Sequence, residues 1–170
     1  MARPGRNASP SEILRPNRTF FATTNAFTGK HLLQSERNAN LLIEVLRSLV
    51  SEKAIEMHDF VIMPDHIHLL VTVPGDSTIE KTMQLVKGRF SHRLSHELGF
   101  KGEVWQRGFS EVQVLGKQSF EQHRTYIANN PVKAGLVAEG EEFPFCYVTL
   151  ARRKSAGAKA QELMGRFRHD

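Results

Sequence analysis

Ile55-Glu-Met-His-Asp-Phe-Val-Ile-Met-Pro-Asp-His-Ile-His-Leu-Leu-Val-Thr-Val73 is rich in apolar and β-branched residues and is interrupted once, at Pro64-Asp65. Proline cannot donate in a central ladder and Pro-Asp favours a turn, so the stretch predicts two strands, Ile55–Met63 and His66–Val73, paired as an antiparallel hairpin. Alternation along the second strand sends Ile67, Leu69 and Val71 to one face and His66 and His68 to the other. The apolar set is expected to face helices, leaving the two imidazoles side by side on the open face of a sheet.

The flanking sequence supplies the rest of that sheet. Upstream, Arg18-Thr-Phe-Phe-Ala-Thr-Thr24 reads as a first strand, and from Ser35 to Glu52 the residues Leu41, Leu42, Val45, Leu46, Leu49 and Val50 recur at helical spacing. Downstream, Ser77-Thr-Ile-Glu80 has capping-box spacing, followed by Met83, Val86, Phe90, Leu94 and Leu98 before Gly99. This is a second helix with Lys81, Lys87, Arg89 and Arg93 on its wetter sides. Glu111–Leu115 is a fourth strand, and Ser119-Phe-Glu-Gln122 is a second capping box whose helix is expected to end near Asn130, because Pro131 disfavours helical geometry in the residue before it. Pro131 then opens one more turn, closed by Gly135. Strand, helix, strand, strand, helix, strand, helix predicts an α+β fold: the ferredoxin-like, RRM-like split βαβ arrangement. Its four-stranded antiparallel sheet has helices on one face and the other face free for a ligand, plus a tyrosine-bearing helix.

Composition narrows the function classes. The chain has 170 residues, 40% hydrophobic and 24% charged, which suits one domain large enough to bury a core without a disulfide or structural metal. Cys146 is the single cysteine, which excludes an intramolecular disulfide framework and a cysteine-rich zinc cluster and suits a reducing cytoplasm. No apolar run approaches the roughly 20 residues that cross a bilayer, so no membrane role is expected. Lys and Arg number 23 against 18 Asp and Glu, a net charge of +5 that favours polyanions, nucleic acid first. Residues 1–16 read as a basic arm, 17–150 as the single folded domain, and 151–170, with Arg152, Arg153, Lys154, Lys159, Arg166 and Arg168, as a basic tail or short helix.

Several residues have the chemistry of a site. His66 and His68, two apart on a strand, are spaced either to hold one metal ion through a nitrogen each or to be ordinary sheet-surface histidines. Tyr126 shares a helix face with Asn130, four residues on, and with His123, one turn earlier. A tyrosine hydroxyl attacks a phosphodiester only if the phosphate is polarised and the phenol proton is removed, as a nearby divalent ion allows. An Asn carbonyl oxygen is a fitting third ligand for Mg²⁺ or Mn²⁺. The alternative is a half-buried aromatic beside a helix-terminal Asn. Trp105 and Phe109 are either stacking platforms for unpaired bases or core residues. Lys87, Arg89, Arg93 and Arg107 are candidate phosphate contacts or solvated charges, and Lys133 sits where a cation also complements a helix terminus.

Three segments in order, Phe60-Val-Ile-Met-Pro-Asp-His-Ile-His-Leu-Leu70, Val104-Trp-Gln-Arg-Gly-Phe109 and Tyr126-Ile-Ala-Asn-Asn-Pro-Val-Lys-Ala-Gly-Leu136, closely resemble the single-tyrosine HUH transposases. The nearest branch is the REP-associated tyrosine transposases, related to the small insertion-sequence transposases, and the resemblance spans roughly Arg18 to Phe145. It implies cleavage and rejoining of single-stranded DNA beside hairpins. His66, His68 and Asn130 would hold a divalent metal, Mg²⁺ or Mn²⁺, and Tyr126 would be the nucleophile that stays joined to the 5′ phosphate. It also implies a bacterial, cytoplasmic, nucleoid-associated protein, possessing a domesticated role and acting as a monomer rather than as a dimer that exchanges tyrosine helices. Relatives commonly carry a further polar or histidine-bearing stretch after the Trp-Gln-Arg-Gly-Phe segment, where this chain has Ser110-Glu-Val-Gln113. Two other readings compete: a module that binds structured single-stranded DNA or RNA without cutting it, and a small metal-dependent hydrolase using His66 and His68.

Overall fold

Aromatic and β-branched residues extend Arg18–Asn25 as strand β1, and the Ile55–Val73 stretch folds around Pro64-Asp65 into β2 (Glu56–Ile62) and β3 (His66–Val73). The computed structural model describes residues 15–166. Strand β3 pairs antiparallel with both β1 and β2, and β4 (Ser110–Gln113) joins the outer side of β1, giving the order β2-β3-β1-β4. Helix α1 (Glu36–Ser51) connects β1 to β2, and α2 (Ile79–Leu98) connects β3 to β4. The split βαβ arrangement expected from the sequence pattern is therefore present.

Local chemistry sets the helix ends. Ser35 caps α1 by accepting the Asn38 N–H. The cap of α2 lies one residue later than the capping box predicts: Thr78 Oγ1 accepts the Lys81 N–H at 3.1 Å. Ser77 is committed to the preceding turn instead, its N–H donating to Pro74 and its carbonyl accepting from Arg18. Gly99, at φ 67°, ends α2 in the left-handed conformation that glycine adopts without strain.

Helix α3 (Gly116–Lys133) departs from expectation at both ends. It starts three residues before Ser119 and runs through Pro131 rather than stopping at Asn130. Pro131 lies in the last turn, where it forfeits only its own donor to the Ile127 carbonyl, while Ala134 and Leu136 still donate back to Asn130 and Pro131. Helix α4 (Tyr147–Arg166) contains the described part of the basic C-terminal stretch and packs Tyr147 edge-on against Phe60 of β2. Residues 1–14 of the expected arm and 167–170 of the expected tail lie outside the described residues.

Two apolar layers sandwich the sheet. Ala22, Phe60, Ile67, Leu69 and Val71 pack beneath Leu42, Leu46 and Leu49 of α1 and Met83, Val86 and Phe90 of α2. The opposite face is not left free. Val61, Met63, Leu70 and Phe21 point that way and are covered by Ile127 and Phe120 of α3 and by Phe143 and Cys146. The reason lies in β3 itself, since Leu69-Leu70-Val71 is apolar on both faces and a strand of that kind needs cover on both. A bulge in β2 between Met57 and Asp59 adds one residue, His58, so that Asp59 and Val61 fall on the α3 side while Met57 and Phe60 stay with the first core.

Because Ile127 is the buried apolar contact that α3 sends into this second core, Ile127→Ala is expected to lower unfolding free energy by about 2–4 kcal/mol in urea titration. Hydrogen exchange across Gly116–Lys133 should accelerate ahead of that in α1 and α2.

Candidate active site

The register of β1 on β3 places Thr23 opposite His68 and Asn25 opposite His66, with both histidines on the side that α3 covers. Thr23 Oγ1 lies 2.7 Å from His68 Nδ1, and Asp65 Oδ1 lies 2.7 Å from His66 Nδ1. The two imidazoles stand nearly perpendicular, their centroids 4.7 Å apart at 76°. From α3, the carboxamide nitrogen of Asn130 comes to 3.3 Å from His68 Nε2. One turn earlier, the Tyr126 ring meets His68 edge-on with centroids 5.3 Å apart. Tyr126 remains 46% exposed, so its phenol is open to a large substrate.

Phe21 of β1 joins these groups. Its ring stacks on His68 at 5.3 Å, takes Tyr126 edge-on at 5.8 Å and contacts His123 at 4.7 Å. His123 Nδ1 lies 2.7 Å from the Ser119 carbonyl, an acceptor, so the ring carries a proton there. Sequence reasoning missed Phe21, Thr23 and the second role of Asp65. Nothing local marks Phe21 or Thr23, because their place at the site comes from cross-strand register. Asp65 could have been found, since a carboxylate beside a candidate ligand histidine is a common orienting partner.

Burial shapes the electrostatics. His68 is 5% exposed, and burial, with a smaller contribution from the neighbouring His66, pushes it down to about 4. It is therefore neutral near pH 7, the form in which imidazole binds metals. Among the described residues no three His, Cys, Asp or Glu side chains gather to hold an ion. A set of His66, His68 and the Asn130 amide oxygen is still chemically apt for Mn²⁺ or Mg²⁺, with water completing the shell.

Residues 27–130, more than half of the sequence, match the family model described as "Transposase IS200 like". The chain belongs to the IS200-like transposase family. It is 29% identical over 131 residues to the REP-associated tyrosine transposase of Escherichia coli K12, covering 75% of this chain and 74% of that one. A solved structure of a REP-associated tyrosine transposase bound to a REP hairpin superposes with a TM-score of 0.63 at 26% identity, covering 92% of this chain and 87% of that one. A crystal structure from Deinococcus radiodurans matches with a TM-score of 0.50 at 18% identity, covering 75% of this chain and 97% of that one, which shows a shared fold.

The candidate nucleic-acid contacts of this transposase do not share one surface. Arg89 forms a bidentate pair with Glu52, and Arg93 bridges Glu44 and Glu97, so both tie α2 to α1 on the far side of the sheet. Lys87 Nζ donates to the carbonyls of Gln106 and Gly108. Trp105 is buried against Phe90 and donates its indole N–H to the Lys87 carbonyl, which is the core placement of the two its sequence allowed. Arg107 alone of the five is exposed without a described ion pair, in a loop whose Gln106 N–H donates to the Asn25 carbonyl, beside His66. No helix among the described residues is long and apolar enough to cross a membrane.

Asp59, buried under α3, opposes His68 in acid. Desolvation raises its carboxyl to about 6 against the pull of the Phe60 N–H and Arg124. Folded His68 refuses the proton that the unfolded chain accepts below about 6.5, so its stabilisation, full at neutral pH, is lost as pH falls toward 4. Folded Asp59 takes up a proton near pH 6 that the unfolded chain binds only near 3.8, so its contribution is full below that value and lost as pH rises through 6. The two offset each other. Asp59→Asn is expected to steepen the loss of stability between about pH 6.5 and 4, and His68→Gln to reverse it, each on the order of 2 kcal/mol in urea midpoints followed across that window.

Proposed function

We propose that this transposase cuts and rejoins single-stranded DNA beside hairpins, with Tyr126 as nucleophile. The observation that carries the reading is the approach of Tyr126 and Asn130, one turn apart on α3, to His68 at 5.3 Å between rings and 3.3 Å between polar atoms. The hairpin bound by the similar REP-associated transposase supports the choice of DNA. His66, His68, Tyr126 and Asn130 meet within one chain, as action as a monomer requires.

Tyr126, exposed at the rim, reaches a phosphate laid along the β1 and β3 ends, while Phe21 holds the ring against rotation. Loss of the phenol proton lets its oxygen bond to phosphorus as the bond to the 3′ oxygen breaks, leaving a 5′ phosphotyrosine and a free 3′ hydroxyl. Return attack by a 3′ hydroxyl restores the phosphodiester and frees the tyrosine, so no external energy source is required. His66, His68 and Asn130 would hold a divalent ion, Mg²⁺ or Mn²⁺, whose chemistry there is to polarise a non-bridging phosphate oxygen. Asn25 and Gln106, whose amides lie 3.5 Å apart, sit beside His66 across the β1–β3 register, and with the exposed Arg107, next in the same loop, are candidate DNA contacts.

Labelled single-stranded hairpins from repeats flanking the gene, incubated with Mn²⁺ or Mg²⁺, are expected to form a denaturant-resistant protein–DNA adduct. Tyr126→Phe and added chelator should abolish it, and His68→Ala should slow it by about a hundredfold or more. Tight hairpin binding by wild type with neither adduct nor nick under either ion would sink the reading in favour of a non-cleaving binding module.

A further inference from the structure

Asp65 and Thr23 take no part in the steps above, yet each makes its described side-chain hydrogen bond to a histidine of the pair. A neutral imidazole has two tautomers, and only an unprotonated nitrogen can bind an ion. The carboxylate of Asp65, 2.7 Å from His66 Nδ1, can only accept, so it selects the tautomer with the proton on Nδ1. At His68 the Asn130 amide N–H approaches Nε2 at 3.3 Å and makes that nitrogen the acceptor. The proton then sits on Nδ1, and Thr23 Oγ1, at 2.7 Å, accepts it.

The geometry points to Asp65 and Thr23 as positioning residues that hold His66 and His68 in the same Nδ1–H tautomer, so that each ring keeps its lone pair on Nε2, at His68 engaged by the Asn130 amide N–H until an ion takes its place. The inference rests on the reading that this pair binds a divalent ion, and adds what prepares it to do so. The two devices have different origins. Asp65 is the chain neighbour of His66 and acts from the turn that opens β3, whereas Thr23 lies 45 residues before His68 and reaches it only through the β1–β3 register. Asp65 also adds a negative charge behind His66, which strengthens electron donation from the far nitrogen. Thr23 is neutral and does the same orienting work at the buried ring, where an unpaired carboxylate would be costly.

The test uses the full chain, labelled with ¹⁵N, first without metal at fixed neutral pH. Long-range proton–nitrogen correlations of the imidazoles report which nitrogen carries the proton. Both rings are expected as Nδ1–H in wild type. Thr23→Val, which keeps the β-branched shape, should let His68 populate the Nε2–H form, and Thr23→Ser should restore it. Asp65→Ala should do the same to His66. Mn²⁺ titration calorimetry is then expected to show affinity weakened about 10- to 100-fold in Thr23→Val and Asp65→Ala, with Thr23→Ser within about threefold of wild type. If circular dichroism shows that Thr23→Val fails to fold, Asp65→Ala carries the same measurement at the half-buried His66 ring. Wild-type rings protonated on Nε2, or variants with unchanged tautomers and unchanged Mn²⁺ affinity, overturn the inference. Expected tautomers and Mn²⁺ binding without a DNA adduct support it and count only against Tyr126 chemistry.

Discussion

The need to cover Leu70 and Phe21 is the constraint on which the site depends. Both are apolar and both point to the sheet face that α1 and α2 do not reach. Ile127 and Phe120 meet that need by bringing α3 down across β2 and β3. Burial of this surface removes apolar area from water at roughly 25 cal/mol per Å², and it also fixes where the rest of α3 lies. Tyr126 and Asn130 flank Ile127 in sequence and are carried to His68 by the same docking. A helix held by hydrophobic contact thus delivers polar groups that could not have held it alone, since exposed polar contacts contribute little.

That docking has an electrostatic consequence on each side. It buries His68 and keeps it neutral, and it buries Asp59 with Arg124 only 3.9 Å away at the helix surface. The bulge at His58 is what turns Asp59 into the α3 layer, where desolvation outweighs the attraction of Arg124. The site and its support share one layer, so a group that destabilises the fold near neutral pH lies alongside one that is stabilised there. Active sites commonly tolerate such perturbed groups where rigidity is supplied by neighbouring packing.

On the opposite face, charges that look free along a sequence are spent on structure. Arg89 and Arg93 clamp α2 to α1 through Glu52, Glu44 and Glu97, and Lys87 gathers the carbonyls of the Gln106–Gly108 loop. A basic stripe on a helix states how much positive charge is present, while its availability to phosphate depends on which acids lie across the interface. The same loop, pinned by Lys87 and by the Trp105 indole, is what sets Gln106 against Asn25, the β1 partner of His66.

Periodicity and turn chemistry were enough to determine the strands and helices of the split βαβ core, because alternation and 3.6-residue spacing are local and the Pro64-Asp65 break is unambiguous. The motifs around His66, His68 and Tyr126 were enough to point to the family. The ends of α3 were not legible, since Pro131 in a final turn costs one hydrogen bond and the packing of its buried ring and of Ile127 outweighs that local penalty. The second core was half legible, in the doubly apolar run of Leu69-Leu70-Val71. Thr23, Phe21 and the bulge at His58 were decided by tertiary structure alone. Sequence determines which side chains share an element, but which of them meet across elements depends on register and docking, and those are set by the sum of many distant contacts rather than by any local pattern.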